Sequence, residues 1–281
     1  MILDLPILFA QAESTPLRGF FEIVGQTLWL LLVLVAPFVA FTVLIHFLER
    51  LIQLRLAGRF GWKSVLWTGW LGTPIHELSH AIVCRMFRHK ILELALFEPD
   101  LRSGRLGFVR HSWNRGNWFE EVGNFFIGLA PLVGGSLVLA GLLWFFYPEA
   151  AENMISNSGK KYTIVSSVTS LFQDLLSPKQ FFSWKFWLFT YLVLCVASHM
   201  APSVSDYEGA SRGVWMVVFA LVLVLVVVSL LGVETDLAVE WMLRFLSPIF
   251  GLQLIAIVVC AFATLVVHVL TAFFPERFVV R

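Results

Sequence analysis

The chain has 281 residues, of which 58% are hydrophobic and 14% charged, with a mean hydropathy of +0.82. A soluble domain of this length cannot cover so much apolar surface, so the composition excludes an ordinary water-soluble globule and points to a helical membrane protein. A net charge of +1 gives no footprint for nucleic acid, and Cys84, Cys195 and Cys260, scattered in apolar segments, argue against a disulfide framework and against a cysteine-based zinc site.

Residues 1–26 are of mixed character. Ala10-Gln11-Ala12 resembles a signal cleavage site, but no basic segment precedes it, Asp4 is charged and Pro6 interrupts the run, so an interfacial tail is expected. Residues 27–47 carry no formal charge and are long enough to cross a bilayer, with Pro37 a point for a kink. Residues 49–63 carry Arg50, Arg55 and Arg59 and read as a basic amphipathic stretch lying on a membrane surface. A second span follows at residues 64–85.

Residues 85–121 are polar. Within them two apolar-rich runs, 91–97 and 104–111, flank the turn formers of residues 98–104, which predicts a β-hairpin. The third span, 122–148, holds Gly123, Gly128, Gly134, Gly135 and Gly141, which would let a neighbouring helix approach closely. A polar connection, 149–185, contains one amphipathic stretch at 164–176. The fourth span, 186–199, runs into a polar segment that includes Pro202, Asp206 and Glu208. Spans five and six are expected at 213–233 and 245–275, the last tilted or extended at the interface. Trp62, Trp67, Trp70, Trp113, Trp118 and Trp144 lie near span ends, as interfacial anchors do.

The expected fold is an all-α polytopic membrane protein of about six transmembrane helices, with a small membrane-associated β-hairpin after the second helix. Residues 27–281 form a single integral membrane domain with its core at 62–212. Arg85, Arg88, Lys90, Arg102, Arg105, Arg110 and Arg115 put the hairpin side in the cytoplasm by the positive-inside rule, although Arg50, Arg55 and Arg59 pull the other way.

The chemistry is concentrated in His76-Glu77-Leu78-Ser79-His80. On a helix, positions i and i+4 stack on one face, so His76 and His80 can offer two imidazole nitrogens to one metal ion, with Glu77 beside them to take a proton from water. Between Ser64 and Cys84, Glu77 is the sole formally charged residue, and an ionisable group at bilayer depth needs a functional reason. A catalytic zinc takes three protein ligands and keeps one open position. The third ligand must come from elsewhere, and Asp206, Glu208, His199, His111 and His268 are the candidates. Asp206 is favoured because it follows a proline-containing break where a carboxylate can face a buried cavity.

The motif within an apolar helix, the hairpin after it, the glycine-rich helix and the later aspartate together resemble the site-2-type intramembrane zinc metalloproteases. The likeness covers roughly residues 62–212 and is nearest to a divergent bacterial branch with Pro-Ser-x-x-Asp, here Pro202-Ser203-Val204-Ser205-Asp206. The family's usual aspartate segment reads Leu-Asp-Gly or Asn-Pro-Asp-Gly, and this chain departs from it with Ser205-Asp206-Tyr207-Glu208-Gly209.

The resemblance implies Zn2+ on His76, His80 and Asp206, and Glu77 as the base. It implies hydrolysis of membrane-embedded or membrane-associated protein or peptide substrates, in a multi-pass protein of the bacterial cytoplasmic membrane. Asn124, with Gly128-Leu129-Ala130-Pro131, resembles the family's Gly-Pro helix. Its amide could bond a substrate carbonyl, an oxyanion or simply a neighbouring helix. The hairpin edge is expected to hold a substrate peptide extended by strand addition.

Two other readings stand beside this one. A prenyl-peptide-type zinc protease would need a downstream glutamate spacing that Glu208, Glu234 and Glu240 do not offer. A transporter or assembly protein with a structural metal would need a fourth strong ligand, for which Cys84 is the candidate, as a thiolate.

Overall fold

The computed structural model describes residues 16–100, 103–156, 178–230 and 235–275. It is mostly helical with one two-stranded antiparallel sheet. In chain order the elements are α1 (Pro16–Phe60), a short 3-10 turn (Trp62–Val65), α2 (Leu66–Met86), β1 (Lys90–Ala95), β2 (Phe108–Ser112), α3 (Trp118–Phe146) and α4 (Pro148–Ser156). There follow α5 (Pro178–Phe181), α6 (Trp184–Ala197), α7 (Val204–Leu230) and α8 (Thr235–Ala272). The six expected apolar runs overlap six helices, α1, α2, α3, α6, α7 and α8, with residues 231–233 of the fifth run outside the described residues.

Among the described residues two helical segments are long and apolar enough to cross a membrane, Trp118–Phe146 and Ile249–Val269. Helix α6 is apolar but has 14 residues, about 21 Å at the α-helical rise. Of the expected tail, residues 1–15 lie outside the described residues and residues 16–26 belong to the start of α1, while the amphipathic stretch 164–176 lies outside the described residues.

One expectation is corrected. Residues 49–60 are not a separate surface helix but the last turns of a single 45-residue helix, α1. The helix runs on through Pro37 and Gly58 and stops at Gly61, whose φ of 80° is a conformation open to glycine.

Local chemistry marks several other boundaries. Asn117 caps α3 by accepting from the Phe119 N–H, and Ser183 caps α6 by accepting from that of Lys185. Helix α7 starts on a reciprocal cap between Ser203 and Asp206: the Asp206 N–H reaches the Ser203 hydroxyl, and the Ser203 N–H donates to the Asp206 carboxylate. The helix therefore begins well before residue 213, where apolar content alone would start it, and Asp206 is a first-turn residue rather than a loop acid.

Helix α3 is central. It packs on α7, α2 and α6, while α1 pairs with α8 and α6 bridges α2 and α8. The core joins Leu132, Leu139 and Leu143 of α3 to Phe189, Val193 and Val196 of α6 and to Leu252, Ile255 and Ala256 of α8. Of the five glycines expected to admit close neighbours, four in α3 do so, and Gly141 faces open space. At Gly128 a Cβ would lie 2.5 Å from the Asp206 carbonyl oxygen, so a glycine is what lets α7 carry Asp206 up to α3.

The hairpin forms as expected, with strands slightly shorter than the apolar runs. Its pairing runs from Lys90↔Ser112 to Ala95↔Phe108, with an irregularity between Ile91 and Glu93. Arg110 and Glu93 face each other across it at 2.9 Å. Beyond the ladder the connecting segment stays closed, through Glu98 N–H to Leu106 C=O and Asp100 N–H to Arg105 C=O.

Candidate metal centre

His76 and His80 lie one turn apart on α2, their Nε2 atoms 3.1 Å from each other. Asp206 enters from the first turn of α7, with Oδ1 3.2 Å from His80 Nε2 and Oδ2 3.5 Å from His76 Nε2. The three residues form a compact group that could hold a metal ion.

The far side of each ring decides the chemistry. His76 Nδ1 is 2.7 Å from the His199 carbonyl oxygen, and His80 Nδ1 is 2.8 Å from that of Ile127. A carbonyl only accepts, so each Nδ1 carries the proton and each Nε2 of a neutral ring presents its lone pair. Two lone pairs and a carboxylate then converge with no donor among them. Protonating one ring would let its Nε2–H donate to the Asp206 carboxylate, and protonating both would set two N–H groups against each other at the same 3.1 Å. A divalent cation removes the conflict, and ligand atoms on a tetrahedral zinc stand roughly 3.3 Å apart, close to the separations found here. Backbone carbonyls holding the rings from behind are the usual outer support of metal-binding histidines. The residues fit a metal, and Asp206 Oδ2 is further steadied by the N–H and hydroxyl of Ser203, each at 2.7 Å.

A cavity of about 500 Å³ opens beside this group. Glu77 and His76 line it from α2, Leu106 and Gly107 from the hairpin connection, and Pro202 and Ser203 from the entry to α7. Glu77 is buried, yet it reaches the cavity wall near Gly107, where a Cβ would lie 3.0 Å from its Cγ.

The remaining candidates separate cleanly. Glu208 is exposed one turn along α7. His268 is exposed on α8, 3.4 Å from an Arg55 nitrogen. His199 contributes its backbone oxygen rather than its ring. Asn124 is buried and donates to the Glu120 and Glu121 carbonyls of its own helix, at 3.5 and 3.3 Å, and it is not among the residues lining the cavity.

His111 joins a different group, with Cys84 and His89. Burial, reinforced by the adjacent His89 ring, pushes the His111 pKa down to about 4, so its imidazole is neutral at physiological pH.

Sequence reasoning missed the opposite wall of the cavity: His46, Glu49, Arg50 and Gln53 of α1. The signal was present as polar residues at i, i+3, i+4 and i+7, a stripe on one face of an apolar helix. His89 was also missed, since no motif frames it.

The fold and site together define a class: a mostly helical protein with two helices, among the described residues, apolar enough to cross a membrane, and a partly buried bis-histidine–aspartate group suited to a metal. No family model, no curated protein and no solved structure matches the chain.

Proposed function

We propose that the protein is a zinc-dependent intramembrane endopeptidase that hydrolyses peptide bonds of membrane-embedded or membrane-associated substrates. In this reading the six apolar helices cross a bacterial cytoplasmic membrane, with the hairpin on the cytoplasmic side. The observation that carries the proposal is the donor-free convergence of His76, His80 and Asp206 beside a cavity that Glu77 lines. The residues would hold zinc, which when bound supplies Lewis acidity and brings the pKa of water toward neutrality.

The chain's own groups do the rest. The His199 and Ile127 carbonyls hold the two rings in one tautomer. Ser203 fixes the Asp206 carboxylate. Glu77 takes a proton from water in the cavity and returns it to the leaving amine. The polar stripe of α1 and the entry to α7 keep the cavity wettable within an apolar bundle. The hairpin reaches the cavity through Leu106 and Gly107, and each strand of a two-stranded sheet has an unpaired edge on which an extended substrate can lie.

A closed structural metal site is less well supported, because Cys84, the residue that would complete it, groups with His89 and His111 instead.

The test compares purified wild type with Glu77→Gln, reconstituted in liposomes with single-span helical peptides and, separately, with casein. Glu77→Gln keeps its zinc and loses about 100-fold or more of its cleavage rate, the scale of a lost general base. Cleavage by Glu77→Gln at the wild-type rate would overturn the protease reading.

A further inference from the structure

We propose that Cys84, His89 and His111 form a second metal site, which takes a thiophilic d-block cation such as zinc and ties β2 to the end of α2. The proposal is independent of proteolysis. The three donors come from three places: the last turn of α2, the connector after it, and β2. Their ligand atoms all lie within 4.8 Å of one another, with Cys84 and His89 fully enclosed and His111 half-buried.

The tautomers again matter. His89 Nε2 lies 2.8 Å from the Glu120 carbonyl oxygen, so it donates there, and the Nδ1 of the neutral ring presents a lone pair. That Nδ1 faces His111 Nδ1 at 2.9 Å. A proton shared between the two rings would satisfy this contact alone and leave the Cys84 Sγ, within 4.8 Å of a nitrogen of each ring, without a part. A cation uses all three donors. Thiolate with imidazole is the donor set preferred by zinc and its softer neighbours, and binding releases the thiol proton to solvent. The Glu120 carbonyl behind His89 plays the part that the Ile127 carbonyl plays behind His80.

The surroundings are shaped for the His89 ring. Arg88 adopts a φ of 61°, unusual for a residue other than glycine, and this turns the chain so that the His89 N–H bonds the Cys84 carbonyl at 2.8 Å. A Cβ at Gly123 would lie 2.9 Å from His89 Nε2, so glycine makes the room. The Trp113 ring stacks over His89 at 5.9 Å, with planes 15° apart. The site offers three protein ligands, and among the described residues no carboxylate joins the group. None of the three lines the cavity beside the first group.

The full-length protein in detergent is stripped with a chelator and reloaded with Co2+ alone. Wild type binds two cobalt ions per chain and shows a near-ultraviolet thiolate-to-cobalt charge-transfer band. His80→Ala, which removes the first centre, binds one ion and keeps the band. Cys84→Ala binds one ion and loses it, and His111→Ala serves as a second probe should Cys84→Ala fold poorly. The first centre contains no sulfur, so the band reports only on Cys84. Its absence from cobalt-loaded wild type, or its persistence in Cys84→Ala, would overturn the proposal.

Discussion

One helical turn separates His80 from Cys84, yet the two residues serve groups of opposite character. The group around His80 contains a carboxylate, sits beside a cavity and has Glu77 at the cavity wall. The group around Cys84 contains a thiol, is capped by an indole and has no carboxylate among the described residues. Both use histidines held from behind by backbone carbonyls. The difference teaches that donor identity and access, rather than the presence of histidines, separate a centre fit for chemistry from one fit for fastening.

The largest expected effect falls on the first group. Asp206→Ala should weaken zinc retention by more than about 100-fold, beyond the range of outer-shell changes, and abolish cleavage. Glu208→Ala, two residues away and exposed, should match wild type on both counts. Metal analysis after dialysis against a weak chelator measures the contrast. Equal, wild-type retention in both variants would remove Asp206 from the centre.

The hairpin links the two regions, since Gly107 meets the cavity and His111 joins the second group. Consecutive N–H groups in an antiparallel strand point to opposite sides. Of Val109→Pro and Arg110→Pro, one therefore strikes the ladder with β1 and the other the open edge. Each should lower cleavage by roughly 10- to 100-fold through misplaced substrate, while zinc at His76, His80 and Asp206 stays bound. Wild-type rates in both would eliminate strand addition on β2.

The smallest effect is steric. Gly128→Ala forces a Cβ toward the Asp206 carbonyl and should cost roughly tenfold in zinc affinity, as outer-shell disturbances do. Gly141→Ala, which meets nothing within 4 Å, should cost nothing. A titration with a competing zinc indicator distinguishes them, and equal affinities would mean that the α3–α7 approach does not set the position of Asp206.

The sequence by itself determined the helical, apolar class, the positions of the six long apolar runs, the hairpin, and the pairing of His76 with His80. These follow from composition and from periodicities of 3.6 and 2 residues, which act over a few turns of chain. The Ser203–Asp206 cap was equally local and could have been read from Ser-x-x-Asp. Tertiary structure alone decided which of five distant candidates met the two histidines, because that depends on α3 and α7 closing over Gly128. It also turned the polar stripe of α1 into a cavity wall rather than a membrane-surface face. And it drew Cys84 toward His89 and His111, where scattered cysteines had argued against a cysteine-based zinc site. Spacing along the chain carries no information about partners brought together by packing between elements.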